Sequence, residues 1–199
     1  MKKAIIPVAL LVAILGMASP AAAQAAFGVR VGANFANLSF DPDDEEDTST
    51  RTGLNVGGFA SIPFNARFAF QPEVLYSQQG SKASEDGFDA TLKLDYVNVP
   101  LLAKINLSSG RNPVSLLVGP QIGFRTGAKI ESEGVELDIE EQTESTDWGL
   151  VIGMSATVGK FVVLDGRYTW GLSNINADPE DNQKVKNRVF TVSVGVMFR

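Results

Sequence analysis

An eight-stranded, antiparallel, up-and-down β-barrel that crosses a membrane is the all-β fold this sequence predicts, on three observations. Eight segments alternate between apolar and polar residues, each for about ten positions or more. Their connections alternate strictly between long and short, as when one rim of a barrel carries extended loops and the other tight turns. Most segments keep one apolar face, while the polar faces are rich in glycine, which suits the crowded inside of a small barrel.

Taken in order, the strands fall at 27–38, 52–63, 67–79, 92–106, 113–128, 147–158, 161–172 and 187–199. The first sets Phe27, Val29, Val31, Ala33 and Phe35 against Gly28, Arg30, Gly32 and Asn34. The second sets Leu54, Val56, Ala60 and Ile62 against Asn55, Gly57 and Ser61, with Phe59 as an exception on the polar side. The fifth and sixth follow the same rule (Val114, Leu116, Val118 against Ser115 and Gln121; Leu150, Ile152, Met154 against Gly149, Gly153 and Ser155). The last sets Phe190, Val192, Val194, Val196 and Phe198 against Thr191, Ser193 and Gly195. Long connections are expected at 39–51, 80–91, 129–146 and 173–186, and short ones at 64–66, 107–112 and 159–160.

Two strands break the pattern. Strand three, FAFQPEVLYSQQ, carries Pro72 beside Glu73, a residue without a ladder donor next to a charge. Pro100 and Pro120 are expected almost opposite one another, and strand four switches its apolar parity from Leu92, Leu94 and Tyr96 to Val97, Val99 and Leu101. These features predict a bulge or a weakened ladder across strands three to five near mid-barrel.

The chain opens with Lys2 and Lys3, an apolar run over 4–15 and a small-residue stretch through Ala26. That is the plan of a secretory signal peptide over residues 1–23, with cleavage as late as residue 25 as the alternative, and the barrel domain then occupies 27–199. The formal charge of −6 moves to about −8 without the two lysines, which argues against nucleic acid as a partner. With no Cys there is neither a disulfide framework nor a thiolate metal site. With no His, the commonest general base and transition-metal ligand are missing, and no motif supports a serine–lysine or paired-carboxylate enzyme.

The apolar face is expected to meet lipid rather than fill a soluble barrel. Aromatics group at both ends of the spans: Phe27, Phe64, Phe161 and Phe198 beside the short turns, and Phe35, Tyr76, Trp148, Trp170 and Phe190 beside the long loops. Such girdles suit rings at the two membrane–water boundaries.

Three pieces, VRVGANFANLS (29–39), QPEVLYSQQG (71–80) and LDYVNVPLLAK (94–104), resemble in this order the outer-membrane β-barrel family labelled PorT-like. The resemblance implies an integral barrel of the bacterial outer membrane, most of whose relatives have no assigned activity. It also implies the barrel-insertion machinery as a partner during biogenesis, although outer-membrane chains usually end in an aromatic and here Phe198 is followed by Arg199.

The polar faces carry six charges: Arg30, Glu73, Lys104, Arg125, Asp165 and Arg167. In a narrow barrel they are expected to pair across a lumen filled by side chains, with Glu73 and Asp165 as the acids. The first long loop, with Asp41, Asp43, Asp44, Glu45, Glu46 and Asp47, offers oxygen donors for Ca²⁺ or Mg²⁺ but lacks the glycine of a calcium loop, so a solvated acidic loop is the competing reading. In the third long connection Val135, Leu137 and Ile139 alternate with acids, which predicts strands five and six continuing above the membrane as a hairpin. Each short turn carries or adjoins a base (Arg67, Arg111, Lys160), so the rims differ in charge. No cofactor is implied, and the surroundings expected are outer-membrane lipid and surface glycolipid. The function this supports is a non-catalytic structural or surface-interaction barrel; the alternative is a narrow, porin-like channel for small solutes.

Overall fold

The computed structural model describes residues 25–41, 48–85, 88–110, 112–132, 135–139, 144–175 and 184–198. The signal peptide expected over 1–23 lies outside them, as do Asp43, Asp44, Glu45, Glu46 and Asp47 of the acidic loop; Asp41 is the last residue of β1.

The strands are β1 (Ala26–Asp41), β2 (Thr48–Pro63), β3 (Phe68–Glu85), β4 (Phe88–Asn106), β5 (Val114–Ser132), β6 (Val135–Asp138), β7 (Thr146–Val158), β8 (Val162–Gly171) and β9 (Lys184–Phe198). Eight of them pair antiparallel in the order β4-β3-β2-β1-β9-β8-β7-β5, and β4–β5 pairing closes the ring. The fold is therefore a closed eight-stranded antiparallel barrel. The ninth, β6, lies outside the ring and pairs the protruding end of β5, with Lys129 opposite Asp138 and Glu131 opposite Glu136.

At the rim of short turns, the side chain of Asn65 accepts from the amides of Arg67 (2.8 Å) and Phe68 (2.9 Å), which lets the four residues 64–67 reverse the chain. Gly159, at a φ of 66°, takes the left-handed turn between β7 and β8, and its amide is held by Asn112 Oδ1 at 2.9 Å. At the other rim the strands run further than alternation alone suggests. In the segment 80–91, expected as a long loop, β3 and β4 stay paired out to Glu85 and Phe88. Cross-strand bonding outweighs its Gly, Ser and Asp content.

The wall is irregular near mid-barrel across β3 to β5, where the three prolines predict a weakened ladder. Pairing is skipped at Gln71–Pro72 between β2 and β3, at Glu73–Val74 between β3 and β4, and at Gly119–Pro120 between β4 and β5, with the same register resuming on both sides. Missing donors weaken the ladder without a bulge. The register shifts lie toward the long-loop rim, between Thr50 and Asn55 and at Asp95/Tyr96, where Thr126 is the extra residue. Strand β4 does not change parity: Leu94, Tyr96, Asn98, Leu102 and Lys104 all face inward and are buried.

Candidate functional site

Apolar side chains cover the outside of the wall. Val29 (57% exposed), Val31, Leu54, Ile152, Met154, Leu164, Val192 and Val194 are all bare, whereas the alternate positions Arg30, Asn34, Asn55, Ser155, Asp165, Arg167, Thr191 and Ser193 are buried. This is the inverse of a soluble barrel, whose apolar residues fill the inside.

Four of the six polar-face charges meet in one layer across the lumen. Glu73 of β3, with no exposed surface, receives Arg30 Nη1 at 3.0 Å and Arg167 Nη1 at 2.8 Å. Asp165, two residues from Arg167 on β8 and so on the same face, receives Arg30 Nη2 at 2.7 Å and Arg167 Nε at 2.8 Å. Two cations and two anions alternate around a closed ring of contacts with no net charge. Gln71 Nε2 donates to Glu73 at 2.8 Å, and Ser193 Oγ accepts from Arg30 at 2.6 Å. Burying such charges is costly, and the layer meets that cost by satisfying each of them with opposite charge and hydrogen bonds.

The sequence prepares this layer locally. Gly153 stands opposite Arg167, where an added methyl group would come within 2.6 Å of the arginine Cβ. Phe59, the exception on the polar side of β2, is buried with its ring 5.9 Å from the Arg30 guanidinium, a cation–π contact. Gly28, opposite Phe59, leaves room for that ring, since a Cβ there would collide with it. Charge counting missed Gln71, Ser193 and Phe59; their signal was inward parity.

Lys104 and Arg125 do not join this layer. Lys104 lies toward the short-turn rim, in a cavity of about 420 Å³ lined also by Ser61, Asn106, Ser115, Thr157 and Met197. Arg125 lies at the other end, where its Nε donates to the carbonyl of Glu144 at 3.1 Å.

Further layers fill the lumen above the charges. Asn34 donates to Ser77 Oγ at 2.9 Å and accepts from Thr191 at 2.8 Å, and Gln79 donates to Ser77 at 3.1 Å. Higher still, Asn187 donates to Asp147 at 2.8 Å beside the buried Tyr96. Leu38, Leu94, Tyr96, Ala128 and Ile175 pack together below the long-loop rim. Leu102, Leu117 and Val151 fill the β4–β5–β7 side.

Seven of the nine girdle aromatics are exposed on the wall: Phe27, Phe64, Phe161 and Phe198 at the short-turn end, and Phe35, Trp148 and Phe190 at the other. Tyr76 and Trp170 are half-buried, Trp170 packing edge-on against Tyr168 at 4.6 Å. Phe27 pairs with Phe198 and Phe35 with Phe190, so the two levels follow directly from register.

Comparison with known proteins agrees with this inverted wall. Residues 18–177 match the family described as outer membrane protein beta-barrel domain. The chain belongs to this family. Its membership places it among outer-membrane barrels. The chain is similar in fold to Ail, the attachment invasion locus protein of Yersinia pestis, with 15% identity, a TM-score of 0.52, and coverage of 88% of this chain and 99% of that one. It is also similar to Neisserial surface protein A, with 19% identity, a TM-score of 0.51, and coverage of 86% and 97%. No curated protein sequence matches it. At these identities the solved structures speak for the fold alone.

Proposed function

We propose that this outer-membrane barrel is non-catalytic, that its lumen is a structural plug, and that its work is done at its outer surface. The observation that carries this reading is the layer of Arg30, Glu73, Asp165 and Arg167. A conducting path lined by charge presents unsatisfied groups of one sign to a passing ion, whereas here two acids and two bases neutralise one another by direct contact. Packed amides and apolar side chains above the layer extend the obstruction.

Several features fit around this centre. The aromatic levels sit where rings favour the boundary between hydrocarbon and water. Residues 1–23 serve as a cleaved export signal, and the barrel-insertion machinery then handles the chain. The three motifs in strands one, three and four support a place in the PorT-like branch of the family. Outer-leaflet lipid and surface glycolipid are the molecules the wall meets.

Reconstitution into planar bilayers tests the reading. The native protein is expected to insert without producing discrete conductance steps. A reproducible open level of defined size would overturn the plug and favour a narrow channel.

A further inference from the structure

On the outer wall above the aromatic level, the two sides of the barrel treat their cations differently. Over β4 and β5, Lys93 is paired with Glu131 at 2.6 Å and with Glu136 at 2.7 Å, and Lys129 with Glu136 at 3.0 Å. Those charges are consumed within the sheet. Over β9 the arrangement is unlike this. Phe190, Val192, Val194, Val196 and Phe198 are exposed, and Asn187, Val189 and Thr191 are buried, so Arg188 and Lys186 continue the outward row directly above Phe190. Their partners in β1 are Asn37 and Ser39, both polar and uncharged, and in β8 the partner of Arg188 is Trp170. No ion pair among the described residues involves Lys186 or Arg188.

The geometry points to a binding site for phosphate-bearing lipid head groups of the outer leaflet, built from Lys186 and Arg188 with Asn37, Ser39 and Trp170 around them. This rests on the lipid-embedded reading of the wall. Positions i and i+2 of a strand lie about 7 Å apart on one face, so the two cations form a vertical pair at one place on the circumference. The ring pair Phe35–Phe190, with centroids 6.3 Å apart, fixes the level just beneath them. Long basic side chains there lay their stems on the apolar wall and raise their charges to the phosphates. A guanidinium adds paired donors that match phosphate oxygens, and the neighbouring amide and hydroxyl add polar contacts without repelling an anion.

Trp170 supplies the probe. In the W148F protein it is the remaining tryptophan, and brominated lipids quench it on contact. The measurement compares quenching by brominated phosphatidic acid with quenching by brominated phosphatidylcholine in phosphatidylcholine vesicles. Phosphatidic acid is expected to be preferred at Trp170, and K186Q/R188Q to reduce that preference by roughly 30-fold, about 2 kcal/mol at 1.4 kcal/mol per tenfold. K93Q/K129Q, on the other side of the barrel, is expected to leave it unchanged. Where the double variant does not fold, the single variants or high salt on the native patch are expected to weaken the preference.

Equal quenching by the two lipids, or a preference that survives in K186Q/R188Q, would overturn the proposal. Loss of the preference in excess inorganic phosphate at matched ionic strength would assign the patch to a soluble phosphate, overturning the lipid assignment. Absence of quenching by either lipid would instead sink the lipid-facing wall on which the proposal rests.

Discussion

Replacing Glu73 by glutamine changes almost nothing in shape and a great deal in electrostatics. Glu73 accepts from Arg30 at 3.0 and 3.1 Å, from Arg167 at 2.8 and 3.2 Å, and from Gln71 at 2.8 Å, with no exposed surface. The glutamine leaves two guanidiniums facing Asp165 alone, so the layer passes from neutral to a net positive charge. Removing one partner of a buried ion pair costs about 3–5 kcal/mol, because the remaining charge stays desolvated. R167Q alone leaves the opposite imbalance and is expected to cost about as much. The E73Q/R167Q protein keeps the Arg30–Asp165 contact of 2.7 Å and restores neutrality. Its loss is therefore expected to fall at least ~2 kcal/mol short of the sum of the single losses, a coupling large enough to measure. Urea unfolding in lipid vesicles, followed by tryptophan fluorescence and by heat-modifiable gel mobility, gives all three values. E73Q within about 1 kcal/mol of the native protein, or strictly additive losses, would refute the view that this layer holds the barrel by mutual neutralisation. A folded E73Q with new single-channel conductance would refute the plug.

Other perturbations probe the same wall. G28A places a methyl group against the Phe59 ring and 2.7 Å from the Val196 carbonyl and is expected to cost about 1–3 kcal/mol, with F59L as second change recovering only the part due to the ring; unfolding free energies decide, and no loss in G28A would refute the steric account. Glu136 is held down to about 2 from 4.5 by hydrogen bonds from Lys93 and Lys129, so its contribution is full above pH 4.5 and drains as pH falls toward 2. Amide exchange in β6 is accordingly expected to accelerate relative to β5 across that window, and E136Q to abolish the pH dependence; the same dependence in E136Q would remove Glu136 as its source. Val194→Lys, in the middle of the exposed apolar row of β9, is expected to cost about 2–4 kcal/mol in vesicles, and a neutral result would argue against lipid at that face.

The sequence carried the ring of eight strands because its evidence is collective. Eight alternations and a strict order of connections leave few other folds, and a local exception such as Phe59 does not disturb the count. Pairing across the lumen was readable only as parity. Arg30, Glu73, Asp165 and Arg167 meet because of their heights along tilted strands, and height depends on shear, which no single strand records. For that reason Lys104 and Arg125, equal candidates by parity, end in other layers. The extension of β3 and β4 to Glu85 and Phe88 was hidden because the glycines, serines and acids of 80–91 read as loop, while the pairing comes from a partner strand. The β5–β6 extension was legible, since Val135, Leu137 and Ile139 keep their alternation where the chain leaves the barrel.

Strand β4 holds the more general lesson. Below its midpoint Val97 and Leu101 lie on the outer face while Asn98 and Lys104 are buried inside. Above it, Lys93 and Asp95 are outside, while Leu94 and Tyr96 are buried inside. The backbone has not turned over; the solvent has. Where lipid surrounds the wall, apolar residues face out; where water surrounds it, the same strand behaves as one face of a soluble sheet. The neighbours change at matching heights. On β1 outward Phe35 gives way to outward Asn37, with Ala36 and Leu38 buried inside. On β9 outward Phe190 gives way to outward Arg188, and Phe35 and Phe190 are register partners. An inversion of hydrophobic parity without a bulge in its own strand is thus a marker of the membrane surface. It places the top of the outward apolar row just below Arg188, at the level the Phe35–Phe190 pair also marks.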